Sequence, residues 1–383
     1  MTKTMQTILI ILAVLAALAI TAALVLRHPA FGPYSFFHRT SSLCTSSPNW
    51  RNGMFRNEEP TPQFTSRKSP MAILCEFIIH RPKDRVPAEA LPAVKTDLCN
   101  LPTDRDWLVW FGHSSYLFCL CGKRYLVDPV LNMEFPASVM MKPFAGTDIY
   151  TPDDMPDIDV LIITHEHWDH LDYATLRDLR PKVHRVICPI GVAEYLEYWH
   201  YDTSVITEMD WGEVVESRKT KDRPSDSKPL STLNDSGLST LSDSGLKVTC
   251  LPTRHFSNRL LGGRNQTLWA AFLIEDDGRK VYVGGDGGYD GRFKRVREQF
   301  GQVDLAVLEN GQYNEDWRYI HTTPEGLEQA VLDLQAKAVF TVHHDKFALA
   351  KHPWSEPDSV ARSIAERHPV RLLDRPIGMV IYF

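Results

Sequence analysis

Hydrophobic and polar positions divide the chain into three parts. The first contains an uncharged apolar run, Thr7–Leu26, which as a helix is long enough to cross the roughly 30 Å bilayer core, so residues 1–28 are predicted to be a membrane anchor. Residues 29–106 are rich in proline and aromatic side chains and show no sustained periodicity, which predicts an extension packed on the main domain. Over residues 107–383 short apolar strands alternate with amphipathic helices, which predicts a globular domain.

The pattern also predicts individual elements of this domain. The predicted strands are short apolar runs: WLVWF, SYLFCLC, RYLVDP, DVLIIT, VHRVICP, LKVTCLP, LWAAFLIE, KVYVGGD, DLAVLEN and AVFTVHH. The predicted helices cover residues 172–179, 191–200, 289–299, 324–334 and 357–367. Because the strands are too many for one parallel sheet, we expect an α/β fold with two packed sheets flanked by helices.

One segment interrupts this alternation. Residues 217–245 are rich in Ser, Asp, Lys and Pro and contain the tandem octapeptides STLNDSGL and STLSDSGL. Such a composition cannot bury enough apolar surface to order itself, so it predicts a disordered surface insertion between two strands. A role of this insertion in binding calcium or recruiting a partner is the alternative interpretation.

Composition and net charge restrict the partners and the compartment expected for the domain. A net charge of −6 over 383 residues is too acidic to indicate a nucleic-acid partner. The seven cysteines are odd in number and scattered, which favours a reducing compartment, and we therefore expect the domain on the cytoplasmic face. A cleaved secretory signal is the alternative for the apolar run, although its apolarity continues to Leu26 without a polar cleavage region.

The stretch THEHWDHLD, from Thr164 to Asp172, carries the chemistry. It follows a predicted strand and precedes a helix, so its side chains can converge on one point. A zinc-protease helix would need histidine where Asp169 stands. In extended geometry His165 and His167 can chelate one ion, while Asp169 and His170 can turn to a second, so two metal ions are predicted.

THEHWDH resembles the signature of the metallo-β-lactamase superfamily, which implies a four-layer αββα sandwich with a dinuclear metal site at one sheet edge. By this resemblance, later ligands match His255 in LPTRHFS, Asp286 in VYVGGDGGYD and His343 in FTVHHDKFALA, with His344 as the alternative to His343. The resemblance implies two Zn²⁺ ions, one held by His165, His167 and His255, the other by Asp169, His170 and His343, with Asp286 between them. Diiron relatives carry glutamate in place of the second histidine, so the residue at position 167 indicates zinc.

Five further segments resemble the N-acyl-phosphatidylethanolamine-hydrolysing phospholipase D family over roughly residues 100–355. They are WFGHSSYLF, LVDPVL, GGDGGYD, IHTTPEGLEQA and VHHDKFALA. The chain departs from that family at Ser114, at Gly287 and at His344–Lys346, all expected near the pocket. The resemblance implies a membrane-anchored phosphodiester hydrolase that releases N-acylethanolamine and phosphatidic acid.

Two histidines and two aspartates are expected to act beside the predicted metals. His113 and His321 would contact the phosphate or protonate the leaving group, with a strand-end or helix-cap hydrogen bond as the alternative for each. Asp286 is the third predicted catalytic residue, and Asp128 is expected either to orient a ligand histidine or to form a turn before Pro129.

Three functions are consistent with the sequence. The first is the phospholipase D, whose partners would be a membrane phospholipid and the bilayer, with a homodimer as a further candidate. The second is a hydrolase of lactones or small phosphoesters that uses the same ligands. The third is a membrane-tethered interaction protein acting through the insertion, against which the intact ligand set argues. No cofactor-binding residue is expected besides the metal ligands.

Overall fold

A computed structural model of the chain describes residues 3–33, 42–79, 82–217, 245–259 and 263–383, which form two large β-sheets and nine α-helices. The helices are α1 (Lys3–Leu26), α2 (Ser42–Ser46), α3 (Pro70–Ile79), α4 (Ala137–Met140), α5 (Tyr173–Leu179), α6 (Ala193–Tyr198), α7 (Arg292–Phe300), α8 (Pro324–Leu334) and α9 (Glu356–Arg367). The strands are β1 (Trp50–Arg51), β2 (Met54–Phe55), β3 (Trp107–Trp110), β4 (Tyr116–Leu120), β5 (Lys123–Val127), β6 (Val160–Ile162), β7 (Val186–Pro189), β8 (Ile206–Met209), β9 (Val214–Glu216), β10 (Lys247–Leu251), β11 (Ala271–Asp276), β12 (Arg279–Val283), β13 (Leu305–Glu309), β14 (Ala338–Val342), β15 (Arg371–Leu372) and β16 (Val380–Tyr382).

Each large sheet has seven strands. The first has the order β16-β3-β4-β5-β6-β7-β8 and is parallel from β5 to β8. The second has the order β15-β14-β13-β12-β11-β10-β9 and is parallel from β12 to β15. Antiparallel hairpins therefore precede parallel strand–helix units in both sheets.

The hydrophobic core lies in three layers. Between the sheets, Phe118 and Tyr125 of the first sheet belong to one cluster with Phe272 and Phe340 of the second. Helices α5 and α6 cover the outer face of the first sheet, and α7, α8 and α9 cover that of the second. The four-layer αββα sandwich is thereby confirmed.

The parallel strands place polar residues at one edge of the sandwich. Carboxyl ends of neighbouring parallel strands meet at the same edge of a sheet, which is where open α/β sheets bind ligands. Asp128 follows β5, and the THEHWDHLD loop follows β6 in the same sheet. In the second sheet Asp286 follows β12, Glu309 ends β13 and His343 follows β14.

The segment between the apolar run and the main domain is more regular than its sequence pattern suggests. Helix α3, with the sequence PMAILCEFII, is apolar at nearly every position, so it lacks the 3.6-residue period by which an amphipathic helix is recognised. Cys44 and Phe55 are buried in one cluster with Trp269 of the main domain. The domain boundary at residue 106 stays a prediction.

Two other predicted features concern the chain outside the sandwich. Helix α1 has a mean hydropathy of 3.1 and is the one helix, among the described residues, long and apolar enough to cross a membrane. Close behind it, Phe31 packs edge-on against the Trp168 ring at 5.2 Å. The predicted insertion at 217–245 lies, except for its two end residues, outside the described residues.

Candidate metal centre

The THEHWDHLD loop bends sharply between β6 and α5. The backbone N–H groups of His170 and Leu171 both donate to the carbonyl of His167, at 3.1 and 2.9 Å. Asp172 ends the loop as the N-cap of α5, since its carboxylate accepts a hydrogen bond from the Thr175 amide at 2.9 Å. Because the loop turns instead of continuing as a helix, its side chains point towards a common centre.

Three histidines form the first ligand cluster. His167 Nδ1 lies 2.9 Å from His165 Nε2 and 3.1 Å from His255 Nε2. Ligands bound to one zinc ion at about 2.0–2.1 Å would be roughly 3.3 Å apart in tetrahedral geometry, close to these separations. Burial lowers the pKa of His167 to about 3 and that of the other two well below the ordinary value, so all three are neutral and can bind metal.

The second cluster contains one acid and two histidines. Its members, Asp169, His170 and His343, lie with His113 in a group whose ligand atoms are within 4.8 Å of one another. The carboxylate of Asp286 lies between the clusters: its Oδ2 is 3.2 Å from His170 Nε2, 3.3 Å from His343 Nε2 and 3.9 Å from Nε2 of both His165 and His255. The structure therefore brings all seven predicted ligands together.

The alternative ligand, His344, points elsewhere. Its Nε2 lies 3.3 Å from Thr341 Oγ1, and its ring packs on Trp110 at 4.9 Å. The position next to Asp286 is taken by His343.

Two buried nitrogen atoms show that the centre suits metal ions. Nε2 of His170 and Nε2 of His343 are buried and have no hydrogen-bond partner among the described residues, although both face Asp286. A carboxylate can only accept, so the 2.7 Å contact between His170 Nδ1 and Asp128 places a proton on Nδ1, and Nε2 is the nitrogen that can exchange its proton for a metal ion. Imidazole and carboxylate are also the ligand types that zinc takes.

Burial and neighbouring charges shift the pKa values of His170 and Asp286. Burial alone would lower the pKa of His170, but Asp286, Asp169 and Asp128 raise it well above its ordinary value. Burial raises the pKa of Asp286 to about 7, and nearby dications would lower it again. Metal binding and deprotonation of Asp286 are therefore linked.

Residues behind the ligands fix their orientation. Asp128 accepts hydrogen bonds from the Thr164 amide at 2.8 Å, from the Thr164 hydroxyl at 2.6 Å and from His170 Nδ1. His255 donates its Nδ1 proton to the Ile320 carbonyl at 2.6 Å. The structure thus favours the orienting role for Asp128 among the two that its sequence context left open.

We expect Asp128→Asn to weaken zinc binding about 10- to 100-fold, the usual effect of losing such a supporting residue. The reason is that a neutral amide holds the Nδ1 proton of His170 less strongly than a carboxylate does. Competition against a chromophoric chelator measures the affinity. Asp157→Asn changes an exposed aspartate and is the control; equal affinities of the two variants would contradict the orienting role.

His113 also lies behind the ligands. It is fully buried, and its Nε2 donates to Asp169 Oδ2 at 2.8 Å. Its backbone exchanges hydrogen bonds with the β14 loop, from His113 N to His344 O at 2.8 Å and from His343 N to His113 O at 2.9 Å. This placement favours the hydrogen-bonding alternative for His113 over contact with a substrate.

Glu309 is a site residue that sequence reasoning missed. Its buried carboxylate accepts a hydrogen bond from the Gly287 amide at 2.7 Å and contacts His321 Nδ1 directly. Burial alone would lower the pKa of His321, but Glu309 raises it above its ordinary value. The His321 ring packs beside both clusters, 5.2 Å from the His255 ring and 5.3 Å from the His343 ring.

A cavity of about 250 Å³ opens above the two clusters. His167, Asp169, Asp286, His321 and His343 contribute polar groups to it. The remaining lining residues are Gln63, Phe64, Phe256, Gln312, Trp317, Ile320 and Leu349. The N-terminal extension therefore supplies part of the wall, through its residues 63 and 64, which no sequence motif signals.

Arg259 holds the metal-binding loop from outside. This buried side chain donates to the carbonyls of Glu166 and Leu171, both at 2.8 Å, and to that of Ala30 at 2.9 Å. Its guanidinium lies 3.9 Å from the centre of the Trp168 ring. One arginine thus joins both ends of the loop to the segment that follows α1.

We expect Arg259→Met to lower the free energy of unfolding by about 3 kcal/mol, because three buried carbonyls lose their donor. Chemical denaturation followed by circular dichroism measures the loss. Arg264→Met, at an exposed arginine nearby, is the control. A change below about 1 kcal/mol, which is typical of a surface site, would show that the loop does not depend on this side chain.

Known proteins resemble this chain in sequence. Residues 123–344 match the beta-lactamase superfamily domain. An uncharacterized protein of Mycobacterium tuberculosis is 31% identical over 336 residues, which cover 86% of this chain and 82% of that protein. An N-acyl-phosphatidylethanolamine-hydrolyzing phospholipase D of Caenorhabditis elegans is 26% identical over 248 residues, covering 61% of this chain and 62% of the relative.

A solved structure shows the same architecture at lower identity. The diiron β-hydroxylase CmlA of Streptomyces venezuelae superimposes with a TM-score of 0.52 and 18% identity, over 73% of this chain and 54% of its own. That likeness concerns the fold alone. Together with the superfamily match and the two candidate ligand clusters, the comparisons support a metal-dependent hydrolase, and the chain belongs to the metallo-β-lactamase superfamily.

Proposed function

We propose that the protein is a membrane-tethered zinc phosphodiesterase that hydrolyses N-acyl-phosphatidylethanolamine to phosphatidic acid and N-acylethanolamine. The observation that carries this proposal is the two-sided cavity. Its floor holds the metal ligands, and its wall includes Phe64, Phe256 and Trp317. A phosphodiester lipid has the same division, with an anionic group beside apolar chains. The likeness to the Caenorhabditis elegans phospholipase D supports the same substrate class.

The charge of the cavity supports an anionic group at the metals. None of the twelve described lining residues is arginine or lysine, so positive charge at the floor has to come from bound ions and histidine. Two zinc ions, when bound, would activate a water molecule and stabilise charge on the phosphoryl oxygens.

His321 is the proposed general acid. Glu309 accepts its Nδ1 proton and favours the protonated ring, while the ring itself lines the cavity. A proton donated to the departing ethanolamine oxygen would complete cleavage of the phosphorus–oxygen bond.

Two apolar surfaces support a membrane location. Helix α1 has 24 residues, none of which is buried, and would be about 36 Å long. Just after it, the His28 ring packs edge-on against Phe135 at 5.7 Å, next to α4, where Val139 and Met140 are 74% and 73% exposed. A lipid substrate is confined to the bilayer, so tethering raises its local concentration. We propose that the domain lies on the cytoplasmic face, which the odd number and scattered positions of its seven cysteines favour.

The test is mass spectrometry of products after the purified, zinc-loaded full chain meets N-acyl-phosphatidylethanolamine in mixed micelles. We expect phosphatidic acid and N-acylethanolamine in equal amounts. If zinc is bound but the lipid stays intact while a lactone or a soluble phosphoester is cleaved, the substrate proposal fails and the second hypothesis replaces it. If zinc is bound and none of these substrates is cleaved, the third hypothesis, a membrane-tethered interaction protein, remains.

A further inference from the structure

A second group of metal-binding side chains lies outside the catalytic cavity, where the loop after β14 meets α9. His344 Nδ1 is 3.4 Å from Asp345 Oδ1 and 3.9 Å from Asp358 Oδ1. The three ligand atoms all lie within 4.8 Å of one another. None of the three residues lines the cavity over the two catalytic clusters.

Two buried polar atoms of this group have no hydrogen-bond partner among the described residues. The His344 side chain is 4% exposed, yet its Nδ1 has no hydrogen-bond partner among the described residues. Asp345 Oδ1 is also buried and also has no hydrogen-bond partner among the described residues. A buried polar atom left unpaired loses its hydration without compensation, so two adjacent ones favour an occupant between them.

The distances separate the two candidate occupants, a proton and a metal ion. Separations of 3.4 and 3.9 Å are longer than N–H···O hydrogen bonds, which are about 2.7–3.2 Å. Two ligands bound to one zinc ion at about 2.0–2.2 Å lie roughly 3.3–3.6 Å apart in tetrahedral geometry, so the 3.4 Å pair fits this range and the 3.9 Å pair would have to close by a few tenths of an ångström. Two carboxylates also neutralise a dication.

We propose that His344, Asp345 and Asp358 bind one zinc ion, separate from the catalytic pair. On α9, Arg362 does not occupy the site, because it pairs with Asp374 at 2.7 Å and stays 3.9 Å from Asp358 Oδ2. This site does not depend on the proposed phosphodiesterase function.

The ion would connect α9 to the catalytic wall. His344 directly follows the ligand His343, and its carbonyl accepts the His113 amide proton at 2.8 Å. The backbone at Asp345 has φ of 58°, a left-handed conformation that costs energy in residues other than glycine. A bound ion would hold this strained turn, and with it the position of His343.

The test compares zinc content in the full chain kept in detergent. Samples are dialysed to equilibrium against buffered zinc, and zinc per chain is measured by inductively coupled plasma mass spectrometry. We expect Asp358→Asn to bind one zinc ion fewer than the unmodified chain. Glu366→Gln, at an exposed carboxylate on the same helix, is the matched control and should lose none.

Two further variants keep the result decisive. Asp345→Asn should reproduce the loss of one ion, and far-UV circular dichroism checks that each variant is folded. In an Asp286→Asn background, Asp358→Asn should still remove one ion, which separates this site from the catalytic one. Unchanged zinc content in folded Asp358→Asn and Asp345→Asn would overturn the proposal and leave protonated His344 as the partner of the two acids.

Discussion

Replacing Asp286 with asparagine is expected to lower kcat/KM for the proposed lipid roughly a thousandfold, which corresponds to about 4 kcal/mol of transition-state stabilisation. The carboxylate Oδ2 lies within 3.9 Å of Nε2 atoms in both clusters, next to His165 and His255 on one side and His170 and His343 on the other. An amide has a similar shape but no charge, so it cannot balance two dications. The rate of product formation in mixed micelles measures the effect.

Measuring the zinc content shows whether Asp286 acts by holding the metal ions. We expect Asp286→Asn to lose at least one zinc ion per chain, because the bridging charge is gone. Asp277→Asn, in the exposed turn between β11 and β12, removes one carboxylate elsewhere and should leave rate and zinc content unchanged. A rate within tenfold of the unmodified protein would contradict the bridging role. The same variant measured on a simple aryl phosphodiester keeps this conclusion independent of the lipid.

The candidate ligand set, whose role in metal binding stays a prediction, could be located from the sequence because its information is local. Four of the seven ligands lie within six positions, and a strand-to-turn context makes their convergence a matter of backbone geometry. The other three were located by resemblance, and each lies just beyond the carboxyl end of a strand. The αββα architecture was accessible for a related reason, since apolar strands and amphipathic helices each carry their own period.

The site residues that the sequence did not reveal depend on contacts between distant segments of the chain. Glu309 ends the strand DLAVLEN, and its partners Gly287 and His321 lie 22 and 12 residues away. Gln63 and Phe64 belong to a segment without periodicity, yet they line the cavity. His113 follows a strand as a ligand would, and only its burial behind Asp169 shows that it supports the centre.

Replacing Glu309 with glutamine is expected to lower kcat about 100-fold while zinc content stays unchanged, which is the range of one general acid or base. The amide of glutamine fills the same space and can still accept from Gly287, but it no longer favours the protonated His321 ring. We therefore expect the alkaline limb of the kcat–pH profile to move to lower pH, because the pKa of His321 falls when its carboxylate partner is lost. Glu325→Gln, at an exposed carboxylate in the first turn of α8, is the control.

The double variant separates a shared role from two independent ones. If Glu309 acts through His321, then His321→Ala should lower kcat by a similar factor, and combining the two substitutions should add little. Multiplied losses would mean that Glu309 acts by another route, such as its 3.9 Å approach to His343 Nε2. Loss of zinc in Glu309→Gln would point to the same conclusion. Retained zinc with a shifted pH profile would leave proton transfer through His321 as the explanation.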